Sequence, residues 1–262
     1  MNLALEVKHV IDRLRSIGDP KAVEGMARFG IRSSNSFGVS VPKLRALARE
    51  VGRDHLLASK LWETGLHDAR LLATMIDDPR QVTVAQMEIW VRDFDSWDVV
   101  DGCCGNLFDK TPVAMAKAKE WCRREAEYEK RAGFVLMAEL AVHDKKAKDQ
   151  VFLDFLPLII DGASDKRNFV KKAVNWSLRQ IGKRNLELNK VAVSTALKIQ
   201  KMESGSAKWV ASDALRELKS PKSRKGSGEK IAPRTSDTPS RHVLLAVSFF
   251  RNYSFFVTIF FC

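Results

Sequence analysis

The chain contains 262 residues, of which 45% are hydrophobic, and this length and composition support a buried core and independent folding. The formal net charge is +12, but residues 219–262 carry eight Lys or Arg against two Asp or Glu, so this segment holds half of it. The preceding 218 residues carry only +6, which excludes a uniformly basic surface and predicts one localised basic face.

The cysteines and the N-terminus bear on cofactors and compartment. The four cysteines form no CxxC pair, have no His at ligand spacing and build no secreted-type framework: Cys103, Cys104, Cys122 and Cys262. We therefore expect a reducing compartment, no bound metal and no small-molecule cofactor. Glu6 interrupts what would be the apolar stretch of a signal peptide. An intracellular protein is expected, in the bacterial cytoplasm near the nucleoid or in a eukaryotic nucleus.

From residue 3 to about 218, apolar residues recur at three- and four-residue spacing, without sustained alternation of β-branched residues. The pattern predicts an all-α fold. Pro20, Pro42 and Pro112 mark first turns of helices, where the missing N–H costs nothing. The predicted helices are 3–17, 20–29, 42–51, 54–64, 67–77, 83–93, 97–108, 112–125, 127–142, 147–161, 165–184, 187–203 and 206–218.

Short amphipathic helices joined by short loops bury their apolar faces only by stacking on neighbours. Pro42, Pro79 and Pro112 lie 37 and 33 residues apart, close to the length of one helix pair in HEAT-like arrays. We therefore predict that residues 1–218 form a HEAT-like helical-repeat solenoid, an α-α superhelix with a concave face.

The last 44 residues differ in composition from the rest. Residues 219–242 are polar, rich in Ser, Pro, Lys and Arg, and are expected to be a disordered basic linker. Residues 243–262 are apolar, but Arg251 and Asn252 divide them into runs too short to span a bilayer. A membrane anchor is the less favoured alternative, and an extension unrelated to the folded domain is expected.

The predicted helix at 165–184 has two opposite faces. Val170, Val174, Leu178 and Ile181 fall on one side. The opposite side carries Lys172, Trp176, Arg179 and Lys183. This arrangement favours an exposed Trp176 in a basic stripe, suited to DNA phosphates and a sugar or base. The alternative is that Trp176 packs beneath a neighbouring helix while the cations are merely solvated.

The predicted helix at 97–108 places a carboxylate on an apolar face. Trp97 and Asp101 lie one turn apart on the side that also holds Cys104 and Phe108. Burying an ionised Asp without a partner costs several kcal/mol, so Asp101 is expected to be paired or kept for chemistry. Arg131, at the start of a helix that is apolar on almost every side, is a candidate partner for Asp101 or for a phosphate.

Four segments resemble the DNA alkylation repair family of HEAT-like-repeat DNA glycosylases: FGVSVPKLRALAREV, SWDVVD, KRAGFVL and FVKKAVNWSLRQIGKRN. The resemblance covers about residues 20–218. It implies that Trp97 and Trp176 flank the deoxyribose of the lesion, that Asp101 is the catalytic carboxylate and that Arg131 lies on the same concave surface. Phe29 stands where some relatives carry tyrosine, which leaves the preferred damaged base open.

The resemblance implies removal of N3- or N7-alkylated purines from double-stranded DNA, without flipping the base into a pocket. A monomer is expected. Such purines are cationic and leave as neutral bases, so no general acid is required. Asp101 would stabilise the oxocarbenium ion or orient water. Two alternatives remain: a non-catalytic repeat module that binds damaged or branched nucleic acid, and a scaffold whose concave face docks an acidic partner.

Overall fold

The computed structural model describes residues 3–31 and 34–220, and within these ranges the chain is all-helical, as predicted. Two short 3-10 turns, Ala27–Phe29 and Phe108–Lys110, accompany the α-helices. The helices are α1 (Leu3–Ile17), α2 (Pro20–Met26), α3 (Val41–Val51), α4 (His55–Glu63), α5 (His67–Ile76), α6 (Val84–Arg92), α7 (Trp97–Asn106), α8 (Ala114–Trp121), α9 (Glu127–His143), α10 (Asp149–Leu153), α11 (Leu156–Gly162), α12 (Asn168–Gly182), α13 (Leu186–Gln200) and α14 (Gly205–Leu218).

Prolines or capping side chains mark the starts of about half of the described α-helices. Pro20 is the first residue of α2, and the Asp19 carboxylate accepts a hydrogen bond from the Lys21 amide at 3.0 Å. Pro42 lies in the first turn of α3. Pro112 was expected to open a helix, but α8 begins two residues later at Ala114. The proline therefore marks the approach to α8 and not its first turn.

The predicted helix at 147–161 is wrong in its continuity, because the structure divides it into α10 and α11. Pro157 lies in the first turn of α11. Inside a continuous helix its ring would clash with the carbonyl of Leu153, and its nitrogen has no hydrogen to donate there. The break at residues 154 and 155 gives this proline a tolerated position.

The helices stack as repeats. Helices α5, α7, α9, α12 and α14 form a series in which each contacts the next, while α4, α8 and α13 pack beside α5, α9 and α14. Hydrogen bonds connect successive helices of this series. His67 on α5 bonds to Asp98 on α7, 31 positions later, and Asn175 on α12 bonds to the carbonyl of Val210 on α14, 35 positions later. This offset is the length of one helix pair, so the predicted stacking of short helices is confirmed for the described residues.

Aromatic side chains fill the core of the central repeats. The rings of Trp62 and Trp90 stack with their centroids 4.0 Å apart, and Phe108 contacts both Trp90 and Trp121 at about 6 Å. These residues come from α4, α6, α8 and the turn after α7, so they join adjacent repeats. Such contacts between large rings contribute about 0.5–1.5 kcal/mol each beyond the burial of their area.

No helix in residues 3–31 and 34–220 combines the length and apolar character needed to cross a bilayer. The predictions made for the basic linker at 219–242 and the apolar tail at 243–262 fall outside the described residues, apart from residues 219 and 220.

Candidate active site

A buried ion pair joins α7 to α9. Arg131 donates from Nε to Asp101 Oδ1 at 3.0 Å and from Nη2 to Asp101 Oδ2 at 2.8 Å. Its third donor, Nη1, reaches the carbonyl oxygen of Phe169 on α12 at 2.6 Å. Asp101 is only 5% exposed. The predicted pairing of Asp101 with Arg131 is confirmed. The Arg131 guanidinium links α7, α9 and α12, three successive helices of the stacked series.

The environment of Asp101 acts on its charge in two directions. Burial raises the pKa of Asp101 above its ordinary value, and the facing Arg131 guanidinium opposes that rise. The bidentate geometry also fixes the plane of the carboxylate. Asp101 is therefore a carboxylate of fixed orientation in a dry environment.

Trp97 lies against this ion pair. Its indole Nε1 donates to the carbonyl oxygen of Phe29 at 2.9 Å, and the Arg131 guanidinium lies 5.9 Å from the centre of its ring. Gly30, which follows Phe29, has a φ of 69°, a backbone conformation that favours glycine. A Cβ at this position would lie 2.6 Å from the Phe169 ring. Trp97, Asp101 and Arg131 thus form one cluster, bounded by the turn at residues 29–30.

Trp176 is not where the sequence placed it. The prediction that Trp176 faces solvent is wrong, because it is only 7% exposed. The apolar residue Val174 on the predicted core face is fully buried as well. Helix α12 contacts α9, α11, α13 and α14, so little of its circumference is left for solvent. A helical periodicity identifies two faces but does not show that only one is covered.

Acidic residues of α14 form ion pairs with two of the cations in the predicted basic stripe. Lys183 donates to Glu217 at 2.6 Å, and Arg179 forms an ion pair with the same carboxylate. Arg179 Nε also lies 3.9 Å from Asp213. Burial by itself would raise the pKa of Glu217, but these two cations hold it below its ordinary value. The expectation of an open stripe is therefore wrong at Arg179 and Lys183.

Lys172 lies one turn before Trp176 on α12, near enough to Arg131 for the two charges to interact. Burial lowers the pKa of Lys172 below its ordinary value, and the charges of Arg131 and Lys171 add to the effect. Positive charge is thus concentrated near the start of α12, on the side of the ion pair.

The structure places a different tryptophan at the surface. Trp209, on α14, is 39% exposed, and the Lys171 ammonium lies 4.9 Å from the centre of its ring. Neither residue of this pair was predicted to be functional from the sequence. The signal was present in α14, because Ala207, Val210 and Ala211 are buried on one face and Trp209 lies off it. Lys171 and Trp209 combine a cation with an aromatic surface.

Two clefts open beside the cluster. An open cleft of about 560 Å³ is lined by Ala27, Gly30, Ile31, Phe94, Asp95 and Tyr128. A narrower one of about 240 Å³ shares Asp95 and is lined also by Ser34, Asn35, Gly65, His67 and Arg70. Asp95 precedes α7 by two residues, and Tyr128 lies one turn before Arg131, so the larger cleft lies near the helix ends that carry Trp97 and Arg131. Its lining is aromatic and acidic.

Cys103 and Cys104, on the same helix as Asp101, offer no reactive thiolate. Burial raises the pKa of Cys103 and Cys104 well above the ordinary thiol value, with smaller contributions from Asp77 and Asp101 respectively. These thiols stay protonated at neutral pH. Cys103 and Cys104 therefore supply no thiolate beside Asp101.

The stacked helix pairs place the chain in the class of helical-repeat proteins. The family model described as "DNA alkylation repair enzyme" matches residues 10–218. The chain belongs to this family, and the resemblance drawn from the four sequence segments is confirmed.

Individual relatives share less than a quarter of their aligned residues with this chain. The chain is 24% identical over 130 residues to the uncharacterized protein Lin0241 of Listeria innocua, and 23% identical over 130 residues to the uncharacterized protein Lmo0209 of Listeria monocytogenes. Each alignment covers 48% of this chain and 58% of the relative, so the chain spans little more than half the length of these relatives.

A solved structure matches with a TM-score of 0.67 at 19% identity, covering 80% of this chain and 95% of the other. It is described as a new family of proteins related to the HEAT-like repeat DNA glycosylases, with affinity for branched DNA structures. The match confirms the HEAT-like fold.

Proposed function

We propose that the protein is a DNA glycosylase that hydrolyses the N-glycosidic bond of positively charged N3- or N7-alkylated purines in duplex DNA, without flipping the base into a pocket. The observation that carries the proposal is the buried Asp101 carboxylate, held by Arg131 beside Trp97. Membership of the DNA alkylation repair enzyme family supports it.

The proposed chemistry needs negative charge near the sugar. As the bond to the cationic purine breaks, positive charge develops on the deoxyribose, and the purine leaves as a neutral base. A carboxylate about 4 Å away contributes on the order of 4 kcal/mol at an effective dielectric near 20. That is about a thousandfold in rate. It is an upper figure, because Arg131 pairs with the same carboxylate.

Asp101 retains capacity to act while it is paired. A carboxylate has about four lone-pair sites, and the bidentate contact with Arg131 uses two of them. The remaining sites can accept from a water that attacks the anomeric carbon, or face the sugar directly. Arg131 holds the carboxylate in place before the substrate arrives, which removes reorganisation from the reaction. The electron-rich ring of Trp97, which lies beside the ion pair, would add cation–π attraction to the same sugar.

The larger cleft fits the lesion better than it fits the DNA backbone. Asp95, whose Oδ1 lies 3.8 Å from Arg70 Nη1, and the rings of Phe94 and Tyr128 would favour a cationic base over a phosphate. Lys171 and Lys172 would bind the phosphates, with Trp209 available to a sugar or base. Arg179 and Lys183 would join the interface only by exchanging Glu217 for a phosphate.

A second candidate function is binding of branched DNA without catalysis. The burial of Asp101, Trp97 and Trp176 favours it, because each leaves at most 7% of its surface for a substrate. The structural neighbour described as having affinity for branched DNA points the same way. In this case Asp101 and Arg131 would serve to join α7, α9 and α12.

Base release separates the two functions. Duplex DNA containing 7-methylguanine is incubated with excess protein, and free base is measured for the wild type and for Asp101→Asn. The matched control is Glu88→Gln, which removes a carboxylate paired with Lys117 and Arg124 at 2.8 and 2.7 Å. We expect release by the wild type and by the control, and a loss of up to about a thousandfold for Asp101→Asn.

Circular dichroism at the assay temperature verifies that each variant is folded. Absence of release above background by the wild type refutes the glycosylase proposal. Tighter binding of a four-way junction than of a duplex of the same sequence, without base release, would then support the binding module.

A further inference from the structure

Three potential ligand groups converge at the far ends of α7 and α9. Asp109 lies in the 3-10 turn that follows α7, and Glu139 and His143 lie one helical turn apart at the end of α9. One carboxylate oxygen from each acid and one imidazole nitrogen all lie within 4.8 Å of one another. His143 Nδ1 is 2.5 Å from Asp109 Oδ2 and 3.6 Å from Glu139 Oε2.

The Glu139 carboxylate is buried without a hydrogen bond at one oxygen. Its side chain is 8% exposed, and Oε2 has no hydrogen-bond partner. Leaving a buried carboxylate unsatisfied is costly, and buried charges are normally paired or bound to a metal. The unsatisfied oxygen is the one nearest to His143, so it points toward the other two groups.

The backbone of α7 makes room for this carboxylate. A Cβ on Gly105 would lie 2.6 Å from Glu139 Oε1 and 2.9 Å from its Cδ. Any other residue at position 105 would displace the acid. The Lys110 ammonium contacts Asp109 at Oδ1, at 3.0 Å, whereas Asp109 Oδ2 faces His143.

We propose that Asp109, Glu139 and His143 bind one divalent transition-metal ion of the zinc class. One imidazole nitrogen and two carboxylate oxygens are ligands that Zn²⁺ accepts, and three protein ligands leave a fourth position open. When both acids are ionised and His143 is neutral, the two carboxylates outnumber the one Lys110 ammonium beside them, which favours a divalent cation.

The metal requires only a small movement of His143. Bonds of about 2.0–2.1 Å in a tetrahedral site set the ligand atoms about 3.3–3.4 Å apart, so the Nδ1–Oδ2 separation must widen by nearly 1 Å. His143 is the last residue of α9, and 42% of its side chain is exposed. The ring can therefore move, and the ion can enter from solvent past it.

The position of the site suggests a structural role. Asp109 and Glu139 each lie eight residues beyond Asp101 and Arg131, which pair across the same two helices. An ion here would connect α7 and α9 at the end opposite to the Asp101–Arg131 pair. This inference is independent of the proposed glycosylase activity.

The test is metal binding by the full chain after treatment with EDTA and gel filtration. Zn²⁺ is titrated by calorimetry, and Co²⁺ is added as a spectroscopic probe of tetrahedral coordination. We expect one equivalent of Zn²⁺ to bind and the thermal midpoint to rise with its concentration. Glu139→Gln and His143→Ala are each expected to weaken binding by at least tenfold to a hundredfold.

The matched control is His55→Ala, which removes a comparable histidine–carboxylate contact, between His55 Nδ1 and Asp77 Oδ1 at 2.7 Å. Binding should be unchanged in this variant. His143→Ala alters a half-exposed residue at a helix end and is expected to fold. Absence of Zn²⁺ binding by the wild type, or wild-type affinity in His143→Ala, overturns the proposal.

Discussion

Substitution of Asp101 by Asn tests the buried ion pair apart from catalysis. The change removes the charge that compensates Arg131, whose side chain is only 2% exposed. It also places an amide NH₂ against a guanidinium donor, so one of the two hydrogen bonds at 3.0 and 2.8 Å is lost. Removing one partner of a buried ion pair costs about 3–5 kcal/mol.

This cost converts to a large thermal shift. A protein of this size loses about 2–4 °C in Tm for each kcal/mol, so Asp101→Asn is expected to lower Tm by about 6–20 °C. Urea unfolding followed by circular dichroism and tryptophan fluorescence gives the free energy directly. The activity of this variant therefore has to be measured well below its own Tm.

A double variant separates the unpaired charge from lost packing. Asp101→Leu with Arg131→Met removes both charges, and such replacements of buried ion pairs are often neutral or stabilising. We expect the double variant to be more stable than Asp101→Asn. A loss below about 1 kcal/mol for Asp101→Asn would refute the reasoning, because it would mean that Arg131 is not a desolvated charge dependent on Asp101.

Two further predictions concern pH and salt. Burial alone would lower the pKa of His67, but the hydrogen bond and charge of Asp98 raise it above 6.5. The protonated His67–Asp98 pair therefore stabilises the fold fully below pH 6.5, and this stabilisation is lost as the pH rises through the folded-state pKa of His67. The unfolding free energy of the wild type should therefore fall above pH 6.5 more steeply than that of His67→Gln, and parallel curves would contradict the assignment. The proposed function places Lys172 against a DNA phosphate, so Lys172→Ala is expected to reduce the slope of log K for DNA binding against log salt by about 1 in fluorescence anisotropy titrations. Lys183→Ala should change the slope less, because Glu217 already neutralises Lys183; equal changes would show that DNA displaces Glu217.

The all-α class, most helix positions and the pairing of Asp101 could be predicted from the sequence alone. Helical periodicity is a local property, and a charge on an apolar helix face must find a partner wherever the helix packs. Arg131 was identifiable for the same reason, as a cation on a helix that is apolar on almost every side. The family resemblance rested on these same segments and was confirmed over residues 10–218.

Only the tertiary structure decided which faces remain open. The burial of Trp176, the pairing of Arg179 and Lys183 with Glu217, and the exposure of Trp209 all depend on how α12 and α14 are rotated against each other. The meeting of Asp109 with Glu139 and His143 depends on the register between α7 and α9. Periodicity defines the faces of one helix, whereas contacts between residues 30 to 40 positions apart are set by the packing of whole helices. The buried carboxylate was therefore readable in the sequence, and the surface through which it would meet DNA was not.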